Sequence, residues 1–424
     1  EKLLANRPGP ELERELWRKL AEMNGVLNRH EASAGWYLKW AEGEPDAALA
    51  RKARLAAASA WRAAGRPEEA WSVLASGAGP DTLAVRAELA MELKRYADAE
   101  RLLVELVGAP VRPEADPARV NDLATVWEMN RQYAPAISLV RSLLERGWGD
   151  RTAQTLRLAD LLRWNGQSDE AVKHYLQALA GMEPGPAAMT ARYGLALALL
   201  DLRQGREALE ALKPLLDQKP GEPDQVLAAA RAASLLGDAG LTADLLDRLA
   251  GLRPLTRDER IWLAGQDRKA GRSDKALAAY RELTKDPAAD RSLLEACGDL
   301  CADAGDLASA LAAYQRISGV TMDRDLALKM ARAARESAGN VALALKLYDD
   351  VLATPLGEIP EVRLEAARFF VNASRQTQAY PLYTNVAAVK SWEGQAIELM
   401  RAALAAQVFV DAEKYARDRL EQDE

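Results

Sequence analysis

Residues 271–280 read GRSDKALAAY, residues 305–314 read GDLASALAAY, and residues 339–348 read GNVALALKLY. The three phrases begin 34 residues apart, so Gly271, Ala276 and Tyr280 recur as Gly305, Ala310 and Tyr314, then as Gly339, Ala344 and Tyr348. A fixed period of this length is the mark of a stacked array whose single unit cannot bury its own apolar face. Ahead of the Gly lies apolar spacing of the helical kind, as in Leu294, Cys297, Leu300 and Cys301. The Gly supplies a left-handed residue that ends this first helix. A second helix follows, with the small Ala where the two helices approach most closely and the Tyr filling the gap between neighbouring hairpins.

Carried outward, the Ala position falls at Ala32, Ala70, Ala99, Ala136, Ala171, Ala208 and Ala243, then at Ala276, Ala310, Ala344, Ala379 and Ala412. The spacings range from 29 to 38 residues, which predicts about twelve helical hairpins, the outermost acting as caps. The loop GAPVRPEADP (108–117), with its three prolines, accounts for one long spacing. The spacing of 29 predicts a short second helix near Trp71–Ser76, cut by GAGP (77–80). No low-complexity linker interrupts the series, so residues 1–424 read as one continuous solenoid. Its hairpins group at about 11–108, 117–255 and 257–420.

Composition narrows the function classes. With 49% hydrophobic and 28% charged residues the chain is an ordered one. Its 56 basic and 63 acidic residues leave a net charge of −7, which argues against non-specific binding of nucleic acid. The longest apolar run, Tyr193–Leu200, is too short to span a bilayer. The chain begins at Glu1 rather than Met, the expectation for a processed protein or a fragment of a larger one.

Chemistry-bearing motifs are scarce. The sequence holds no P-loop, no dinucleotide-binding glycine fingerprint and no nucleophile elbow. Cys297 and Cys301, the only cysteines, stand one turn apart at inward positions and read as a buried structural pair. The only histidines, His30 and His174, have no partner at metal-ligand spacing and read as surface or boundary residues. Neither a catalytic residue nor a cofactor or metal site is expected.

The pattern resembles the tetratricopeptide repeat family, whose 34-residue helix–turn–helix favours small residues at positions 8 and 20 and large ones at 11 and 24. Residues 152–184 match with Leu158, Ala159, Gly166, Ala171, Tyr175, Ala178 and Pro184. Trp61 and Trp127 match the eleventh position, and Pro220 and Pro287 match the end. Ser234 and Asp267 depart from the pattern where a large residue is usual. The resemblance implies an all-α fold, a right-handed superhelical solenoid whose first helices line a groove through positions 2, 5, 9, 12 and 13.

On that register the groove-facing residues include Glu88, Glu92, Glu128 and Asp160, with Arg157 nearby and Arg163 and Trp164 at positions 12 and 13 of one repeat. Trp164 beside arginines fits the profile of an interface anchor, though packing against the next hairpin is slightly favoured. Glu295, Asp299 and Asp303 share one helix face. Lys329 and Lys269 stand where they could pair with Glu295 and Asp303, whereas Asp299, flanked by Gly265 and Ala333, is left without an obvious partner. The family's carboxylate clamp is not evident, because Lys329 is followed by Ala333.

The leading expectation is a non-enzymatic scaffold that binds other proteins, of basic character if they use the acidic groove. The phrase ELWRKLAEMNGVLNRHEASAGWYLKWAE (15–42) resembles the periplasmic repeats of Pel-type exopolysaccharide outer-membrane exporters. That resemblance implies a periplasmic scaffold recruiting a polysaccharide-modifying enzyme, with a weak contact to a cationic polymer. The alternative is the helical, non-catalytic region of a lytic transglycosylase-like enzyme or of a repeat-bearing regulator.

Overall fold

A computed structural model describes residues 9–75, 79–108, 110–217, 221–318, 324–337, 339–389 and 395–422. Among these residues there are 24 α-helices, one short 3-10 turn and no strand, so the all-α expectation holds. The chain divides into two compact units, Glu1–Gly237 and Asp238–Glu424. The division falls inside the 117–255 group.

Unit 1 opens with α1 (Pro10–Val26), α2 (His30–Gly43), α3 (Ala47–Ala63), α4 (Pro67–Val73), α5 (Pro80–Glu92) and α6 (Tyr96–Val107). It continues with α7 (Pro117–Met129), α8 (Tyr133–Glu145), α9 (Arg151–Trp164), α10 (Ser168–Ala180), α11 (Pro186–Asp201), α12 (Gly205–Leu216) and α13 (Pro223–Leu235). Unit 2 holds α14 (Ala239–Leu252), α15 (Arg257–Lys269), α16 (Ser273–Leu283), α17 (Arg291–Asp303), α18 (Leu307–Ser318) and α19 (Arg324–Glu336). It ends with α20 (Val341–Leu352), the 3-10 turn Pro355–Glu358, α21 (Pro360–Asn372), α22 (Gln376–Ala387), α23 (Gln395–Ala405) and α24 (Phe409–Gln422). Within each unit every helix packs on the next in chain order, and the odd-numbered first helices α3 and α5, α9 and α11, and α11 and α13 also touch. At seven residues α4 is the shortest of them, as the 29-residue spacing requires.

Local chemistry sets the boundaries. Pro opens α1, α4, α5, α7, α11, α13 and α21, where its missing amide hydrogen costs nothing. Side-chain caps mark other starts: Asp150 accepts from the amides of Thr152 and Ala153 at 2.8 and 3.3 Å. A left-handed residue stands at the end of each of the twelve first helices. It is Gly at 65, 166, 237, 271, 305 and 339, with φ between 73° and 87°, and otherwise Asn28, Lys94, Arg131, Arg203, Ser374 or Gln407. These six are the only non-glycine residues with positive φ among those described. At Gly305 the reversal is closed by Asp306 N donating to Cys301 O at 2.8 Å.

Five residues beyond each left-handed residue sits a small buried one, and this corrects the register at two places. Ala32 is exposed, and its position belongs to Ser33, which is buried and donates to the carbonyl of Ala21 at 2.8 Å. Thr242, fully buried, takes the place assigned to Ala243, which is buried beside it. The remaining ten alanines are buried as expected. In the corrected register every spacing from Ala208 to Ala344 is 34.

The tyrosines fill space that glycines leave open. A Cβ on Gly298 would come within 2.4 Å of the Tyr314 ring, and one on Gly194 within 2.6 Å of the Tyr175 ring. Tyr348, fully buried, lies 5.2 Å from the Phe369 ring of the next hairpin. Of the expected repeat residues, Pro220 and positions 76–78, including part of the GAGP turn, lie outside the described residues.

Candidate functional site

First helices of successive hairpins lie side by side, so a charge on one meets a charge about one repeat away on the next. In unit 1, Arg62 on α3 reaches Glu88 at 3.2 Å and Glu92 at 2.7 Å on α5. Glu88 is also held by Arg119 on α7 at 2.7 Å. Glu128 on α7 pairs with Arg157 on α9 at 2.6 Å, and Arg157 donates further to Asn121 at 2.7 Å and Thr125 at 2.8 Å. Arg163 on α9 lies 4.0 Å from Asp201 on α11. Asp160 accepts a hydrogen bond from the hydroxyl of buried Tyr175, and burial pushes its carboxyl above the usual range. The carboxylates expected to form an open acidic patch are therefore each engaged by a partner.

Unit 2 repeats the arrangement. Lys329 on α19 contacts Glu295 at 2.7 Å and Asp299 at 2.9 Å on α17, so the expected Glu295–Lys329 pair forms. Asp299 is not left without a partner. It takes Lys329, accepts from the Tyr314 hydroxyl at 2.8 Å, and lies 3.7 Å from Arg268 on α15. The small neighbours Gly265 and Ala333 remove steric competition and let these longer side chains converge on it. No ion pair joins Lys269 to Asp303 among the described residues. Glu365 on α21 accepts from Arg332, Arg335 and the Tyr348 hydroxyl, and these hydrogen bonds outweigh its burial and lower its pKa. Around this cluster Arg268, Asp299, Asp303, Lys329, Arg332 and Arg335 line an open hollow of about 400 Å³.

Trp164 is 48% exposed, and its ring rests against Tyr133 of the preceding hairpin with centroids 5.8 Å apart. Its aromatic contact is therefore with the preceding hairpin. Met129, at the end of α7, is 59% exposed.

Cys297 and Cys301 are buried and unbridged, and the Thr284 hydroxyl lies 3.7 Å from Cys297 Sγ. His30 and His174 are both half-buried, with His174 Nε2 3.8 Å from Glu170. Asp267, the departure from the large eleventh residue, is buried 3.5 Å from Arg272, and burial raises its pKa. Among the described residues no group of three or more His, Cys, Asp or Glu is placed to hold a metal, and no helix is long and apolar enough to cross a membrane.

Sequence reasoning found Glu88, Glu92, Glu128, Asp160, Asp299, Arg157, Arg163 and Lys329, but not Arg62, Arg119, Arg332, Arg335 or Glu365. The signal was available as an Arg or Lys lying 26 to 38 residues from an acid on a matching first helix, as in Arg62–Glu88 and Arg163–Asp201.

The sequence model of the family described as tetratricopeptide repeat matches residues 156–223 and 267–319, one stretch in each unit. Both stretches support tetratricopeptide repeats, an architecture suited to protein–protein interaction. Comparison with curated proteins finds no match. Among solved structures the chain is similar to a tetratricopeptide repeat protein from Parabacteroides merdae, at 15% identity and a TM-score of 0.39, covering 60% of this chain and 98% of that one. It is also similar to YrrB, a repeat protein with an unusual peptide-binding site, at 20% identity and a TM-score of 0.38, covering 46% of this chain and 97% of that one. A third similar structure is MamA from Desulfovibrio magneticus, at 13% identity and a TM-score of 0.36, covering 40% of this chain and 93% of that one.

Proposed function

We propose that residues 1–424 act as one non-enzymatic scaffold that captures a folded partner on the exposed ends of its first helices. The observation that carries this reading is the Trp164–Tyr133 pair. A large indole left about half exposed and leaning on a second aromatic is an anchor of the kind that dominates protein interfaces. The ladder acids Glu88, Glu92, Glu128 and Asp299 act in this reading as framework. They fix the spacing between first helices, and Arg157 and Asp160 hold α9 so that Arg163 and Trp164 are presented in a set direction.

The Pel-like phrase at 15–42 supports a periplasmic setting and a partner that modifies exopolysaccharide before export. The test is binding to a polysaccharide-modifying enzyme encoded alongside this chain, followed in real time on a sensor surface. Trp164→Ala is expected to raise the dissociation rate, the affinity falling by about 2 kcal/mol or more if Trp164 is a hot spot. Melting should fall only a little, because half the indole is already in water. Undiminished binding by the variant removes the site, and failure of the wild-type chain to bind any such enzyme removes the export reading.

A further inference from the structure

The first hairpin turns an unpartnered apolar stripe to solvent. On α1, Leu12 and Met23 are each more than half exposed and Val26 is 84% exposed, as is more than half of Leu27 just past the helix end. Successive residues of a helix turn about 100°, so Leu12, half-buried Leu16, Met23 and Val26 fall within about 80° of one another. Ala21, on the opposite face, is fully buried. The stripe runs for about 21 Å at 1.5 Å per residue. An outward helix of a stacked array ordinarily shows water a polar face instead. Charge is sorted along the same helix. Glu11, Glu13, Arg14 and Glu15 make its first half net acidic, whereas Arg18, Lys19, Glu22 and Arg29 make the rest and the turn beyond it net basic. Elsewhere in unit 1 first-helix charges are tied into inter-repeat pairs, as Arg62 is with Glu88. Glu11, Glu15 and Arg29 are exposed, and no ion pair or side-chain hydrogen bond joins any of them to another of the described residues.

We infer that α1 is a self-association surface whose partner is a second copy of this chain, packed antiparallel about a two-fold axis near Leu20. A pairing centred there sets Leu12 against the copy's Leu27 and Leu16 against its Met23, so the apolar stripe closes on itself. It brings Glu11 level with the copy's Arg29 and Arg18 level with its Glu22, and symmetry makes each pair twice. A parallel pairing would set Glu11 on Glu11 and Arg29 on Arg29, and like charges opposed across an interface are costly. Lys19, in the middle of the stripe, stands 3.0 Å from Glu22 of its own helix, so its charge is matched and its stem adds to the apolar surface. One pair of helices lies at the small end of specific interfaces, below about 1,200 Å², so the dimer is a weak one with a Kd of about 1–100 µM. The surface does not depend on the docking reading at Trp164, and either can fail alone.

The test is sedimentation velocity of the whole chain from about 1 to 200 µM, across which the mean mass should climb from monomer toward dimer. Val26→Glu sets a carboxylate against apolar surface in both copies and should weaken association about tenfold or more. Its melting curve, recorded at about 1 µM where the chain is monomeric, should match that of the wild type because Val26 is already in water. Glu11→Arg and Arg29→Glu should each weaken the dimer about tenfold. Combined, they restore opposite charges in the antiparallel register alone, and the double variant should return to within about threefold of the wild type. A chain that stays monomeric at about 200 µM overturns the inference and leaves the stripe to a different occupant. So does a dimer that survives Val26→Glu, or a double variant that associates no more tightly than the two single ones.

Discussion

At the scale of single residues, the left-handed turns offer the sharpest test of how this chain is built. A non-glycine residue in that conformation costs about 1–2 kcal/mol, and Gly avoids most of this while giving back about 0.5–1 kcal/mol in chain entropy. Arg203, at φ 59°, should therefore tolerate Arg203→Gly with a small gain in stability, read as a higher urea midpoint. Gly305→Ala, at φ 76°, should lose stability. Equal and opposite results would mean that the turns are shaped by packing and not by backbone preference. The glycines at 271, 305 and 339 were legible because they recur in register. Asn28, Lys94, Arg131, Arg203, Ser374 and Gln407 were not, because nothing in a lysine or an arginine announces a positive φ. Ala32 was misplaced for the same reason: with Asn28 unrecognised as the turn, the register slipped by one residue.

A second residue-scale test concerns acid. Glu259 is held down to about pKa 2 by the Arg253 guanidinium, at 2.6 and 2.8 Å, and by the Thr256 amide at 2.9 Å. A carboxylate depressed in the folded state contributes stability above its unfolded value of 4.5, and that contribution drains away as pH falls toward about 2. The urea midpoint of the wild-type chain should fall across this window, and Glu259→Gln should flatten that part of the profile. An unchanged slope in the variant would mean that other carboxyls dominate acid loss.

At the scale of the element, the unit of construction is a hairpin whose second helix presses a small residue against the first and pushes a tyrosine into the next gap. Ala310 is fully buried, so Ala310→Leu must displace neighbours at about 1–3 kcal/mol, whereas Ala310→Ser adds one atom. Calorimetry should rank leucine well below serine. Gly298→Ala makes the same point from the other side, since its new methyl meets Tyr314 at 2.4 Å, while Gly251→Ala has open space and serves as the control. Tyr314 and Tyr348 donate to Asp299 and Glu365, and burial with these acids raises both phenols well above the ordinary value. A group raised in the folded state contributes stability below its unfolded pKa of about 10 and loses it above, so alkaline unfolding should begin past that point. The helical hairpin and its tyrosine were readable from one sequence because both repeat at fixed spacing. The ion-pair ladders were not, since a pair joins residues 26 to 38 apart whose facing depends on how neighbouring hairpins sit.

At the scale of the whole molecule, the chain divides into two compact units between Gly237 and Asp238. In a linear array, damage is shared first with nearest neighbours. Ala310→Leu should therefore raise amide exchange in residues 238–424 before it does so in 1–237. Uniform loss of protection over both would mean that the units unfold as one. The candidate surfaces were half legible. Trp164 was found because a repeat register places it, while the stripe on α1 was passed over because it lies where the period is least regular.

The two cysteines, buried one turn apart on α17, give unit 2 a chemical clock of its own. A thiol reagent can reach neither sulfur until that hairpin opens, so the rate at which thiols disappear reports how often the region breathes. No cysteine stands outside that helix to blur the signal. A partner that grips unit 2 should slow the labelling in proportion to how firmly it holds the hairpin shut, whereas one that grips only unit 1 should leave the clock running at its own pace.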